Sequence, residues 1–191
     1  QINRNLDLEF EIILVNDYSK DKSWEIIKEI TAKKSNVKGL SLKENYGQHN
    51  AIAAGLHYCK GKYIVVMDDD LQHDPVYIKS IIDELQEGYD ACYVRYLKRK
   101  HVYWKRFISQ VNHISSSLLA GKSTKIYTSS FKGFNRTICD IINKDQNIEI
   151  FLDWIILNNA KKTQTIDVIH KERFSGKTNY DLKKLLILWS S

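Results

Sequence analysis

Apolar runs of strand length alternate with segments of helical period along most of this chain, and that alternation leaves few folds open. Phe10 to Val15 reads as a strand, and Trp24, Ile27 and Ile30 then recur at helical spacing. Val37 to Leu42 is a second strand, Gln48 to Cys59 a small-residue helix, and Tyr63 to Met67 a third strand. A well-punctuated helix follows. Asp74 caps it, Pro75 opens it, Ile78, Ile81, Ile82 and Leu85 share one face, and Gly88 ends it. Tyr89 to Val94 and Ile126 to Phe131 read as strands, Asn135 to Ile142 and Ile148 to Asn158 as helices, and Thr165 to Ile169 as a last strand. This order predicts an α/β fold, a mixed but mainly parallel sheet flanked by helices.

Length and composition bound the rest. A chain of 191 residues is one domain with room for a sizeable core. No apolar run is long enough to span a bilayer, and no signal peptide is present in the sequence given. Cys59, Cys92 and Cys139 lie far apart without a CxxC pair, which argues against a disulfide framework or a zinc site. The net charge of +6 favours an anionic partner. Gln1 to Asp7 carries no start methionine, and Leu182 to Trp189 stops in mid-pattern. The chain is therefore expected to be a piece of a longer protein, with 181–191 beginning a further helix.

The chemistry gathers where predicted strands end, which is where open α/β sheets bind ligands. Directly after Tyr63 to Met67 come Asp68, Asp69 and Asp70, then Leu71, Gln72, His73, Asp74 and Pro75. So many carboxylates together call for a neutralising partner, and a hard divalent cation with oxygen ligands is the natural one. A solvated acidic loop is the plainer alternative. Asp17 ends another strand, either as a ligand for a base or ribose or as the acceptor of its own turn. Asn45, Tyr46 and Gly47 supply a third polar turn. No GxGxxG and no P-loop is present, which disfavours a dehydrogenase or a P-loop kinase.

These turns resemble those of the family 2 inverting glycosyltransferases with the GT-A fold. Val15-Asn16-Asp17-Tyr18-Ser19 resembles their V-D-D-x-S turn, and Asn45-Tyr46-Gly47 with Ala51 and Gly55 resembles their N-x-G…A…G segment. Gly61-Lys62-Tyr63 through Asp68 to Pro75 is similar to the G-x-Y-x-x-x-M-D-x-D-L-Q-x-x-P block of the polyprenyl-phosphate sugar transferases. His170 to Tyr180 is similar to their R-x-x-G-x-S-x-Y element. Asn16 stands where the pattern has Asp, and Tyr18 fills its open position, where Gly is usual. Ser129-Ser130-Phe131-Lys132 stands where many members have G-D-F-R, and the family's first strand, with its P-x-Y-N-E turn, is missing.

The resemblance implies one catalytic domain over 1–191, GT-A (Rossmann-like) in fold and truncated at its N-terminus. It implies that Asp70 and Gln72 hold Mn²⁺ or Mg²⁺, with Asp68 supporting the metal or the sugar nucleotide. Asp17, Asn45, Gly47, Asp68 and Asp69 would form the nucleotide and donor side. Arg173 and Thr178 would bind phosphate, with Arg95 and Arg106 of the basic stretch docking the acceptor phosphate. Asp153 is either a base for sugar-hydroxyl acceptors or an ordinary solvent-facing helix acid.

The expected function is metal-dependent inverting transfer from a UDP- or GDP-linked sugar to a polyprenyl phosphate at the cytoplasmic membrane face. Transfer to a sugar hydroxyl of a surface polysaccharide, or a catalytically silent nucleotide-sugar-binding subunit, are the alternatives. Residues 95–121 pair basic side chains with Tyr96, Tyr103, Trp104 and Phe107, which suits an anionic membrane surface. A solvated face and single-strand binding are the other readings of that stretch; nucleic acid is not the expected partner, and a homo-oligomer stays open.

Overall fold

The computed structural model describes residues 9–70, 72–97, 127–145 and 152–169. Most of the basic stretch and the His170 to Tyr180 element lie outside the described residues. The elements run β1 (Ile12–Asn16), α1 (Ser23–Lys33), β2 (Val37–Ser41), α2 (Gln48–Tyr58) and β3 (Tyr63–Val66). A 3₁₀ turn at Pro75–Tyr77 leads into α3 (Ile78–Gln86), followed by β4 (Ala91–Leu97), β5 (Lys132–Asn135), α4 (Arg136–Lys144), α5 (Leu152–Asn159) and β6 (Thr163–Ile169).

β1 and β2 pair in parallel as a two-stranded unit, and the other strands form a sheet in the order β3-β5-β4-β6. β5 runs antiparallel to both neighbours, while β4 and β6 pair in parallel from Ala91↔Thr163 to Leu97↔Ile169. The architecture is thus mixed α/β, and its longest ladder is parallel.

Strand side chains alternate between two helix-covered faces, as the pleat requires. Ala91 and Tyr93 of β4 join Ile64, Phe134, Ile138, Ile142, Leu152 and Ile156 under α4 and α5. Cys92 and Val94 join Ile81, Leu85, Phe131 and Val168 against α3. Helices on both faces explain why β4 reads as a continuous apolar run rather than an alternating one. Asp90, just before β4, ties together the ends of its two neighbouring strands. Its Oδ2 accepts from the Lys161 and Lys162 amides at 2.8 and 3.1 Å, and its Oδ1 accepts from Asn135 Nδ2 at 2.8 Å. α2 joins the two units. Its Gly55 lies over Val15 and Ile13 of β1, and its Leu56 is buried in the core beneath α4.

One predicted strand moves. The strand expected over Ile126 to Phe131 forms instead at Lys132–Asn135. Lysine and glycine are poor strand formers, so Lys132-Gly133 reads as a break, but tertiary packing overrides propensity here. A Cβ on Gly133 would stand 2.3 Å from Ile81 Cγ2 and 3.1 Å from the Ile64 carbonyl, so only glycine lets α3 lie this close to β5. Ser129 Oγ instead bonds the Phe131 carbonyl at 2.7 Å, turning the chain before the ladder starts.

Candidate functional site

The acidic turn leaves β3 and is held from two sides. Gln48, first residue of α2, donates from Nε2 to Asp68 Oδ1 at 2.7 Å. The Asp68 amide donates to His73 Nδ1 at 2.9 Å. A backbone N–H can only donate, so Nδ1 is the unprotonated nitrogen and the ring proton sits on Nε2. That Nε2 lies 3.3 Å from Ser130 Oγ and 3.9 Å from Asp68 Oδ2. The buried imidazole stacks on Phe131 at 4.9 Å and on Tyr96 at 5.9 Å between ring centroids. His73 thus fixes the direction in which the acidic turn leaves the sheet, a role the sequence reading missed. The signal was present: a histidine inside the turn, five residues after Asp68.

Asp69 and Asp70 are exposed, Asp68 and Gln72 partly so, and Asp70 Oδ1 accepts the Gln72 amide at 3.0 Å. The field of this turn reaches its surroundings. Burial first, then Tyr77, Asp74, Asp70 and Asp68, push the Tyr96 phenol up to about 12. Among the described residues no group of three or more His, Cys, Asp or Glu side chains could hold a metal ion by itself. Mg²⁺ and Mn²⁺ do not require one, because they take one or two carboxylates and fill the remaining positions with water and substrate phosphates. An oxygen-only donor set on an exposed turn fits that kind of ion.

The first turn is built differently. Asp17 Oδ1 accepts the Tyr46 amide and Oδ2 the Gly47 amide, both at 2.8 Å, while the Asp17 carbonyl accepts from Asn45 Nδ2 at 3.3 Å. Asp17, Asn45 and Gly47, expected on the donor side, are therefore brought together, with the Asp17 carboxylate clamping the turn. Gly47 sits at φ +85 as it opens α2, which no β-carbon residue adopts cheaply. Buried Asn16 ties the strand ends, donating to Ser41 Oγ at 3.0 Å and accepting the Ser19 amide at 3.2 Å. Tyr18 adopts φ 59, the left-handed region, at the position where the resembling turn has glycine.

Across the site, the Lys132 ammonium is buried, lies 5.8 Å from the Tyr93 ring centroid and bonds Asp153 Oδ1. The Tyr93 hydroxyl also lies 3.2 Å from Asp153 Oδ1. Burial and the Asp153 charge push the Tyr93 phenol well above its usual range, so it stays a donor. Asp153 is accordingly no plain solvent-facing acid: its Oδ1 holds a buried ammonium. The Val66↔Lys132 register sets this ion pair beside the end of β3. His49 of α2 senses it too: burial first, then Lys132, hold its imidazole below the usual histidine range, against an opposing pull from Asp153. Lys132 and His49 were not foreseen. A lysine between Phe131 and Phe134 was the available clue.

Arg95, expected to dock acceptor phosphate, has an ion-pair partner of its own. It faces Asp167 across the β4–β6 ladder in a bidentate bridge of 2.6 and 2.8 Å. Arg106, Arg173 and Thr178 lie outside the described residues.

Comparison with known proteins agrees with this geometry. The chain is 32% identical over 180 residues to the uncharacterized glycosyltransferase YkcC of Bacillus subtilis, covering 94% of this chain and 56% of that protein. It is 31% identical over 186 residues to the undecaprenyl-phosphate 4-deoxy-4-formamido-L-arabinose transferase of Photorhabdus laumondii, covering 97% and 57%. It thus spans little more than half the length of these relatives. Among solved structures, the glucosyl-3-phosphoglycerate synthase of Mycobacterium tuberculosis, crystallised with Mn²⁺, UDP-glucose and phosphoglyceric acid, superposes with a TM-score of 0.56. That match is at 17% identity, over 96% of this chain and 66% of that one. A mycobacterial protein superposes at TM-score 0.63 and 17% identity, over 96% and 63%. The family description "Glycosyl transferase family 2" matches residues 2–142. The fold is that of the GT-A enzymes, and the chain belongs to glycosyl transferase family 2.

Proposed function

We propose that the protein containing this chain moves a sugar, with inversion, from a UDP- or GDP-linked donor to a polyprenyl phosphate at the cytoplasmic membrane face, with the help of Mn²⁺ or Mg²⁺. The observation that carries the choice of acceptor is the Lys132–Asp153 pair. A sugar hydroxyl needs a base to take its proton, and Asp153, the candidate base, already has its Oδ1 taken up by Lys132 and Tyr93. A phosphate acceptor is already an anion and needs no base. Relatives named as undecaprenyl-phosphate transferases support the same choice.

In this reading Asp70 and Gln72 hold the metal and Asp68 supports it, Gln48 and His73 keeping its carboxylate and backbone in place. The ion supplies positive charge against the diphosphate leaving group. The Asp17-clamped turn shapes the nucleotide side, and the buried ammonium of Lys132 adds positive charge near the end of β3.

The test uses the full-length protein in membranes with Mn²⁺ and radiolabelled nucleotide sugars, followed by extraction into organic solvent. Label should enter the organic phase as an acid-labile product. Asp70→Ala should lower that transfer on the order of 100- to 1000-fold without lowering Tm, because Asp70 is exposed. Label that stays aqueous on a glycan would favour the hydroxyl acceptor, and nucleotide binding without turnover would favour a silent subunit.

A further inference from the structure

Away from the acidic turn, α2 and α4 meet at two thiols. Cys59 caps the C-terminus of α2 and Cys139 lies in α4, and their Sγ atoms are 3.5 Å apart across a separation of 80 residues. Cys139 is fully buried and Cys59 partly exposed. The Arg136 guanidinium spans the pair, with Nη2 3.6 Å from Cys59 Sγ and Nη1 3.7 Å from Cys139 Sγ. It is held there by the Gly61 carbonyl, 3.0 Å from Nε, and the Cys59 carbonyl, 3.2 Å from Nη2.

A thiol becomes reactive when a cation and a hydrogen-bond donor favour its thiolate. Both are present. The hydrogen bond from Cys139 first, then the Arg136 charge, outweigh burial and nearby Glu11 and hold the Cys59 thiol well below its ordinary range. Cys139 shifts upward through that same bond and its burial, despite Arg136. One accessible thiol favours the thiolate beside one buried thiol that keeps its proton. Cys92 differs: it sits in the core against α3, and burial, with Glu84, pushes it up to about 12.

We propose that Cys59 and Cys139 form a reversible disulfide when the protein meets a hydroperoxide. The Cys59 thiolate attacks one peroxide oxygen and the O–O bond breaks. The departing hydroxide takes up a proton, leaving Cys59 as the sulfenic acid plus one water. The Cys139 sulfur then attacks the Cys59 sulfur, and its proton leaves with the displaced hydroxyl as a second water. One hydrogen peroxide is thereby reduced to two waters while two thiols become one disulfide, and a dithiol reductant reverses the step. The bond would tie the C-terminus of α2, whose other end carries Gln48 and His49, to α4.

The test treats the reduced full-length protein with equimolar hydrogen peroxide and maps peptides without reduction. The expected result is a linked Cys59–Cys139 peptide, restored to thiols by dithiothreitol, with Cys92 still free to react with maleimide after unfolding. Tm should rise by several degrees on oxidation, because a long loop is closed. In Cys139→Ser, Cys59 should stop at the sulfenic acid and be trapped by dimedone. The wild-type protein alone also decides the matter. Cys59 found as sulfinic acid without the cross-link, or both thiols intact after the peroxide is consumed, would overturn the proposal.

Discussion

The two sheet units of this molecule are packed to different standards. In the four-stranded unit Tyr93, Phe131, Phe134, Leu152 and Ile156 have no solvent exposure. In the two-stranded unit α1 buries none of its residues, and Ile26 and Ile30 remain 55% and 38% exposed. Trp24, Ile27 and Thr31 close over Gly39. The Asp17 turn therefore rests on hydrogen bonds such as those of its carboxylate, while the Lys132–Asp153 side rests on a close-packed core. A site placed between two such supports joins a lightly packed turn to a rigid wall, and low local packing is where motion is drawn from.

Paired truncations give the sharpest contrast. Phe134→Ala should cost about 3–5 kcal/mol in urea unfolding, whereas Ile26→Ala should stay within about 0.5 kcal/mol. Equal losses would break the comparison. Next in size is the buried charge. Lys132→Met strips Asp153 of its cation and should cost about 3 kcal/mol. Asp153→Asn added to it should recover much of that loss, read as a double-mutant cycle.

Asp90 sharpens the contrast through pH. Burial pushes its carboxyl up, but the Lys162 and Lys161 amides and Asn135 outweigh that and hold it below its ordinary value. A depressed folded-state pKa stabilises the protein fully above the unfolded value of about 4, and that contribution is lost as pH falls through the folded value. Asp90→Asn should therefore lower Tm at pH 7, with the gap to wild type closing in acid below about pH 4. A gap independent of pH would assign Asp90 a purely geometric role. The smallest effect belongs to Arg95→Ala. Its bridge to Asp167 is exposed, so Tm and the KM for the proposed lipid acceptor should stay where they are. A several-fold rise in that KM would return Arg95 to the acceptor site.

Much of this was legible in the sequence because it is local. Apolar runs gave most strands, spacing gave the buried face of α3, and Asp74 caps the 3₁₀ turn that leads into it from within two residues. The acidic turn was legible for the same reason. What stayed hidden depends on partners far along the chain. Lys132 meets Asp153 across 21 residues, Asp17 meets Gly47 across 30, and Cys59 meets Cys139 across 80. β5 was misplaced because its need for Gly133 comes from Ile81, which no local propensity records.

The strand order β3-β5-β4-β6 has a consequence in time. β1, α1, β2 and α2 are consecutive, so the Asp17 turn can close on itself soon after synthesis. β4 cannot. Its sheet partners, β5 and β6, come later in the chain, with Lys132 and Thr165 both pairing with Tyr93. Until those segments emerge, the apolar run Ala91 to Val94 waits without a sheet, an interval in which unpaired strands are prone to aggregate. The wall that carries Lys132 and Asp153 is the last part of the described fold to come into being.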